Sequence, residues 1–328
     1  MSKKIEFKEI FSKYGIVFVL IGMVIILSIF SPSFRGVNNL INIWVQACIY
    51  GILALGMTLV IIGKGTDLAV GSTTALCAVV FASFAQLPGA MNKIFPNMGE
   101  MPFIVPVLAC LAVGVIIGLV NGAFIAFTNI PAFIATLGMQ TIARGLAYLY
   151  TSGYPVSKLK PIVSSIGQEK LFGFLPYTVV IYLICFAITW VLLNNTRFGK
   201  RVYAIGGNIQ AAEVSGINVK KMILLINAYM GLLCGVAGIV LTSRTASVQP
   251  GAAVGYELTA IASTTIGGTS QSGGIGTVWG ALVGALIFSV LRNGMTLLKI
   301  PAYWQQVAEG FVVILGVVID MRKNARKA

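Results

Sequence analysis

The sequence predicts an all-α protein: a polytopic helical bundle of the inner membrane, with about ten transmembrane helices and both termini in the cytosol. Three observations lead there. Apolar types make up 57% of the 328 residues and charged types only 10%, against roughly 45–50% and 25% in soluble domains. Mean hydropathy is +0.92. The apolar residues fall in long runs of about the 20 residues that a helix needs to cross the hydrocarbon core, and most Lys and Arg lie between the runs.

The runs are 14–30, 40–62, 66–87, 102–127, 131–151, 174–193, 222–242, 257–271, 274–298 and 303–320. The first follows a basic segment, but Leu27-Ser28-Ile29-Phe30 offers no small-residue cleavage site, so it is expected to stay as an anchor. The fourth carries Gly114, Gly118 and Gly122, the seventh Gly231 and Gly235, and the ninth Gly276, Gly280 and Gly284. Small residues four apart let helix backbones approach closely in lipid, so these glycines are expected to pack helices. The eighth run, Glu257 to Gln271, is short and polar for a span. A single transmembrane domain over 1–328 is expected, with no separate soluble domain.

Orientation follows from the basic residues of the short loops. With the N-terminus inside, fourteen of the 23 Lys and Arg fall on the inner face and seven on the outer; Arg144 and Arg292 lie within runs. That split predicts an even number of spans. The net charge of +14 therefore reads as topogenic charge, and no nucleic-acid partner is expected.

The chain has no histidine, which removes Ser-His-Asp and Cys-His catalysis, HExxH zinc sites and histidine pH sensing. Cys48, Cys77, Cys110, Cys185 and Cys234 lie in different runs without a CxxC, as isolated buried thiols do. No metal site, catalytic residue or cofactor is expected. GxxxxGK[ST] is missing, so ATP hydrolysis is not expected of this chain.

Two glycine clusters differ from the packing glycines. One is Gly63-Lys64-Gly65-Thr66-Asp67-Leu68-Ala69-Val70-Gly71-Ser72, and the other is Ile266-Gly267-Gly268-Thr269-Ser270-Gln271-Ser272-Gly273-Gly274. Glycines and hydroxyls there should interrupt the helices, and the freed backbone groups must be buried in protein or line water. A Gly-interrupted segment in each half of a chain points to a transport site.

Ionisable groups at membrane depth are functional candidates by default. Asp67 either caps a re-entering helix or lines the route. Arg144, Arg292 and Glu309 either pair structurally or serve the route, and Glu257 begins the eighth run. Thr66, Ser72, Asn121, Thr264, Thr265 and Asn293 join Asp67 and Glu309 as candidates for a translocation path. Amides and hydroxyls suit a polyol better than an ion, though they also hold helices together.

The segment 194–221 is expected as a cytosolic loop. Asn208 is a good N-cap, Ile209 to Ser215 can make two helical turns, and Gly216 can close them. So short a helix is marginal alone. It is either part of an ordered solvent loop or a docking helix for a cytosolic subunit.

At this point a family resemblance enters. Thr196-Arg-Phe-Gly-Lys-Arg201, Ala204-Ile-Gly-Gly-Asn208 and Ala211-Ala-Glu-Val-Ser-Gly-Ile-Asn-Val219 resemble the coupling-loop signature of ribose/galactose/xylose-type monosaccharide ABC-importer permeases. Gly65-Thr-Asp-Leu-Ala-Val-Gly-Ser72 is similar to their GIDLSVGS segment, with Thr66 for Ile and Ala69 for Ser, and Ile266 to Thr277 resembles a third signature. The likeness runs from about residue 14 to 322. The insert Met91 to Pro96, the tail Asp320 to Lys327 and Thr66-Asp67 resemble galactoside permeases more than ribose ones.

The resemblance implies a permease subunit of about ten helices, two copies of which, as a homodimer in membrane lipid, form the path. It also implies a cytosolic ABC ATPase that binds the ATP and an extracytoplasmic sugar-binding protein. The ATPase-coupling role carries over to Arg197, Gly199, Gly206, Gly207, Asn208, Ala211, Ala212, Glu213 and Gly216. The cargo expected is a galactose/methyl-galactoside or ribose-class sugar. An ion-gradient-driven secondary carrier is the other reading; scarce buried carboxylates and the missing histidine count against it.

Overall fold

A computed structural model describes the backbone of residues 2–325 and the side chains of 15–318. The side chains of Lys3, Lys4, Lys8 and Lys13, and those of the tail from Asp320, lie outside the described residues. In chain order the helices are α1 (Ser2–Phe30), α2 (Val37–Ile62), α3 (Val70–Phe84), α4 (Ile104–Thr128), α5 (Ala132–Thr151), α6 (Pro161–Gln168), α7 (Tyr177–Asn195), α8 (Arg197–Gly207), α9 (Ile209–Val214), α10 (Val219–Thr245), α11 (Tyr256–Ile266), α12 (Val278–Leu297) and α13 (Ala302–Ala325). A 3-10 turn at Pro32–Arg35 precedes α2, and a two-residue hairpin of β1 (Lys170–Leu171) and β2 (Leu175–Pro176) precedes α7.

Five helices, α2, α4, α7, α10 and α12, are long and apolar enough to cross a membrane. Each of the ten expected runs holds a helix, but two are cut short. The third, expected over 66–87, is helical only from Val70 to Phe84. The eighth, expected over 257–271, stops at Ile266. Its 11 residues rise about 16 Å at 1.5 Å per residue, half of a ~30 Å hydrocarbon core. One glycine cluster interrupts the chain between α2 and α3, and the other ends α11, as anticipated.

Helix α2 is the axis of the bundle. It is apolar all round, as a helix enclosed by others must be, and every residue from Ala47 to Ile62 is buried. Helices α7, α10, α11 and α12 pack around it. Helix α10 lies most extensively along α4. Side chains added at Gly114 or Gly118 would strike the backbone of Gly231 or Asn227, and one added at Gly231 would strike Gly114. Helices α11 and α12 meet the same way, Gly280 against Gly267 and Gly284 against Ser263. The GxxxG glycines are therefore packing surfaces; Gly276 precedes α12 and sits against Ile62 and Thr269.

The five cysteines are free and buried. At one end of the bundle, Val156 pairs with Val248 and Gln86 with Leu159 as antiparallel bridges, fastening the α5–α6 connection over the ends of α3 and α10. The opposite end carries α8 and α9. The expected loop 194–221 is mostly helical, because α7 runs on to Asn195 and α8 follows at once.

Candidate functional site

The end of the bundle with α8 and α9 collects both glycine clusters. Helix α8 starts at Thr196, whose Oγ1 accepts from the Gly199 amide at 3.3 Å. It is amphipathic: Phe198, Val202 and Ile205 turn inward, while Arg197, Lys200 and Arg201 are exposed. Its last turn is wedged between the breaks. A side chain at Gly206 would strike the Ile62 carbonyl and the Gly274 amide. Gly274 itself donates to the Ile62 carbonyl oxygen at 2.9 Å. The Tyr203 hydroxyl donates to the Gly276 carbonyl oxygen at 2.8 Å, and burial raises the phenol's pKa, so it stays a donor. Gly273 sits against Gly206 and Lys64.

Helix α9 follows as expected from its capping residues. The Asn208 Oδ1 accepts from the Ala211 amide at 3.0 Å, and Gly216 adopts φ +79°, the left-handed region in which glycine ends helices. The nine residues expected to couple to an ATPase sort into two sets. Gly199, Gly206 and Ala212 are buried and seat the two helices. Arg197, Gly207, Asn208, Ala211, Glu213 and Gly216 are exposed. Val214 beside them is 92% exposed, an apolar side chain with nothing of this chain over it.

The eight path candidates do not converge. Thr66 lines a cavity of about 160 Å³ with Lys64, Ile209 and Asn227, directly behind the start of α9. Asp67 is buried, and its Oδ1 accepts from the Ala69 amide at 2.8 Å, a local turn that leads the chain into α3. Ser72 is buried one turn into α3, its hydroxyl unpartnered. Asn121 lies buried on α4 with its Oδ1 unpartnered, next to Gly118 and Gly122 in the seam with α10. Thr264 and Thr265 donate back to the Ile261 carbonyl of their own helix. Asn293 and Asn39 exchange two amide hydrogen bonds, of 2.8 and 3.0 Å. Glu309 forms a two-pronged pair with Arg292, at 2.7 and 2.9 Å, and the Arg292 guanidinium also bonds the Tyr50 hydroxyl.

One face of α5 links the broken segments. Thr136 donates to the Ala132 carbonyl of its own helix, accepts from the Leu68 amide at 3.1 Å and lies 3.3 Å from the Thr66 carbonyl. Gln140 donates to Glu257 Oε1 at 3.2 Å, and Arg144 donates to the carbonyls of Pro250 and Ala252 at 2.8 and 2.6 Å. The spacing of four residues puts all three on one stripe. That spacing is readable in the sequence, as is the inward triplet of α8. The partners of Tyr203, Tyr50 and Asn39 carry no local signal at all. Among the described residues, no group of three or more Cys, Asp or Glu gathers as for a metal.

The comparisons agree with this architecture. A family model described as "Branched-chain amino acid transport system / permease component" matches residues 39–317. The galactose/methyl galactoside import permease protein MglC of Salmonella typhimurium is 40% identical over 323 residues, covering 95% of each chain. The ribose import permease protein RbsC of Escherichia coli K12 is 40% identical over 313 residues, 93% of this chain and 92% of its own. RbsC of Bacillus subtilis is 39% identical over 325 residues, 98% and 97% of the two chains. Equal identity to the galactoside and ribose permeases favours neither branch. No solved structure matches. With a family match over most of its length and near-full-length identity to import permeases, this chain belongs to the monosaccharide ABC-importer permease family, as a multi-pass protein of the inner membrane.

Proposed function

We propose that this permease carries a galactose- or ribose-class sugar across the inner membrane, driven by a separate cytosolic ATPase that docks on α8 and α9. An extracytoplasmic sugar-binding protein delivers the cargo, and two copies of the chain form the path. The end of the bundle with α8 and α9 faces the cytosol: Lys64, Arg197, Lys200, Arg201, Lys220 and Lys221 lie on it or beside it, and the rule that basic loops stay inside favours that side. Ten segments then cross the membrane. Helix α11 crosses together with residues 246–255, which descend to meet it.

The observation that carries the reading is the position of α8. One face of the α8–α9 unit is open to a partner, and the other is wedged against the two breaks, at Ile62 and Gly274. A push on the open face therefore reaches both interrupted helices at once. ATP-driven closure of the ATPase would displace α8, shift the segments 63–69 and 267–277, and open the interior to one side at a time. The nucleotide state must favour different arrangements of these segments, or nothing is coupled.

Charge reversal at the exposed Glu213 tests this directly. Glu213→Lys should leave the permease folded in the membrane and reduce co-purifying ATPase and sugar uptake at least tenfold. Unchanged recruitment together with unchanged uptake would refute the docking role.

A further inference from the structure

We propose that the permease holds the passing sugar in a cavity halfway along the bundle, between the start of α11 and helices α12 and α13, with Arg292, Gln306 and Glu309 as its hydrogen-bonding groups. The proposal rests on the transport reading above and adds to it a contact site within the permease itself.

The cavity is about 330 Å³, at the small end of ligand pockets, which run from about 300 to 1,000 Å³. Its depth follows from Tyr50, which bonds Arg292 and stands midway between Val37 and Ile62, the ends of α2. Glu257 is level with the middle of α5 through Gln140. The cavity therefore lies where transporters built from discontinuous helices hold their substrates, near the midplane and at the start of a half-helix.

Its lining is polar for that depth. Glu257, Arg292, Gln306 and Glu309 all face it, with Phe288 as an apolar wall. Glu257 is only 7% exposed, and its Oε2 has no partner. It fits there because Gly71 lacks the Cβ that would collide with it. That oxygen rests against α3 rather than in the cavity, so Glu257 shapes the cavity wall and the polar groups open to a ligand are those of α12 and α13. Arg292 has five N–H groups; three are engaged by Glu309 and Tyr50, which leaves donors for hydroxyl oxygens. An ion pair built only for stability gains little over apolar side chains of the same volume, so stability alone does not account for this pair at this depth. Carboxylate, guanidinium, amide and an aromatic wall in one cavity match a neutral polyol, whose hydroxyls donate and accept and whose ring carries apolar C–H faces.

Gly310 makes the test clean. It lines the cavity, and a Cβ there meets nothing within 4 Å, so Gly310→Phe adds bulk at the cavity without a backbone clash. The permease–ATPase complex is purified in detergent, and binding of radiolabelled galactose and ribose is measured by equilibrium dialysis without binding protein. ATP-dependent uptake is measured in proteoliposomes with binding protein. Wild type should bind one of the sugars saturably. Gly310→Phe and Glu309→Gln should lose that binding and at least tenfold in uptake, with ATPase recruitment unchanged. No saturable binding by wild type, or binding and uptake retained in Gly310→Phe, overturns the cavity assignment while ATP-dependent uptake by wild type upholds the transport reading. Absence of ATP-dependent uptake by wild type overturns both.

Discussion

The Tyr203 hydroxyl, on α8, donates to the Gly276 carbonyl oxygen at 2.8 Å, so the helix proposed to dock the ATPase is bonded to the segment that leads into α12. This is a side-chain tie across 73 residues of sequence, and it joins the proposed docking surface to one of the two breaks. Tyr203→Phe removes the donor and keeps the ring. A net loss of about 1 kcal/mol is expected for such a bond. Thermal unfolding of the purified permease should fall by a few degrees at most. Uptake per turnover of ATP should fall much more, because the loosened tie lets α8 move without the break.

Two adjacent glycines separate folding from docking. Gly206 is buried against Ile62 and Gly274, whereas a side chain at Gly207 meets nothing. Gly206→Val should displace α8 and reduce the amount of folded permease in the membrane. Gly207→Trp should leave that amount unchanged and block ATPase recruitment. Detergent-extractable monodisperse protein and co-purified ATPase, measured side by side, distinguish the two.

At the α4–α10 seam, a side chain at Gly114 strikes the Gly231 backbone. Backbone atoms cannot swing aside, so the helices must separate. Overpacking usually costs about 1–3 kcal/mol and occasionally more. Gly114→Leu should fall at the upper end or beyond, seen as a large drop in thermal stability. Gly145→Leu is the control, because a side chain at that position meets open space.

Asp67 can be tested for its two candidate roles with two substitutions. The bond from the Ala69 amide to Asp67 Oδ1 needs an acceptor but not a charge. Asp67→Asn keeps the acceptor, and Asp67→Ala removes it. Only the alanine variant should lose stability, by about 1 kcal/mol as for a lost cap. The asparagine variant should assemble normally and transport less. Normal transport by Asp67→Asn would leave the turn as the sole role of this side chain.

Much of this architecture is legible in the sequence, and for physical reasons. Long apolar runs must cross lipid, and GxxxG spacing must pack helices, so close packing through α4, α10 and α12 follows from composition and period, whereas which helix meets which does not. Asn208 and Gly216 bracket α9 because capping is local chemistry. The structure differs where partners are distant. Residues 197–207 look like loop because they are basic and glycine-rich, yet Phe198, Val202 and Ile205 make a helix once the bundle buries them. Thr264, Thr265 and Asn293 read in the sequence only as route candidates, and their partners, helix carbonyls for the threonines and Asn39 for Asn293, come from the structure alone. Nothing near Arg292 in sequence announces Tyr50, since their meeting depends on how α2 and α12 cross.

The central claim is that this chain moves sugar only when an ATPase pushes on α8 and α9. The most direct test reconstitutes the purified permease in liposomes and follows labelled galactose and ribose, with and without the ATPase and binding protein. Accumulation is expected only when both partners and ATP are present, and not under a proton or sodium gradient alone. Accumulation by the permease alone under such a gradient would contradict the account.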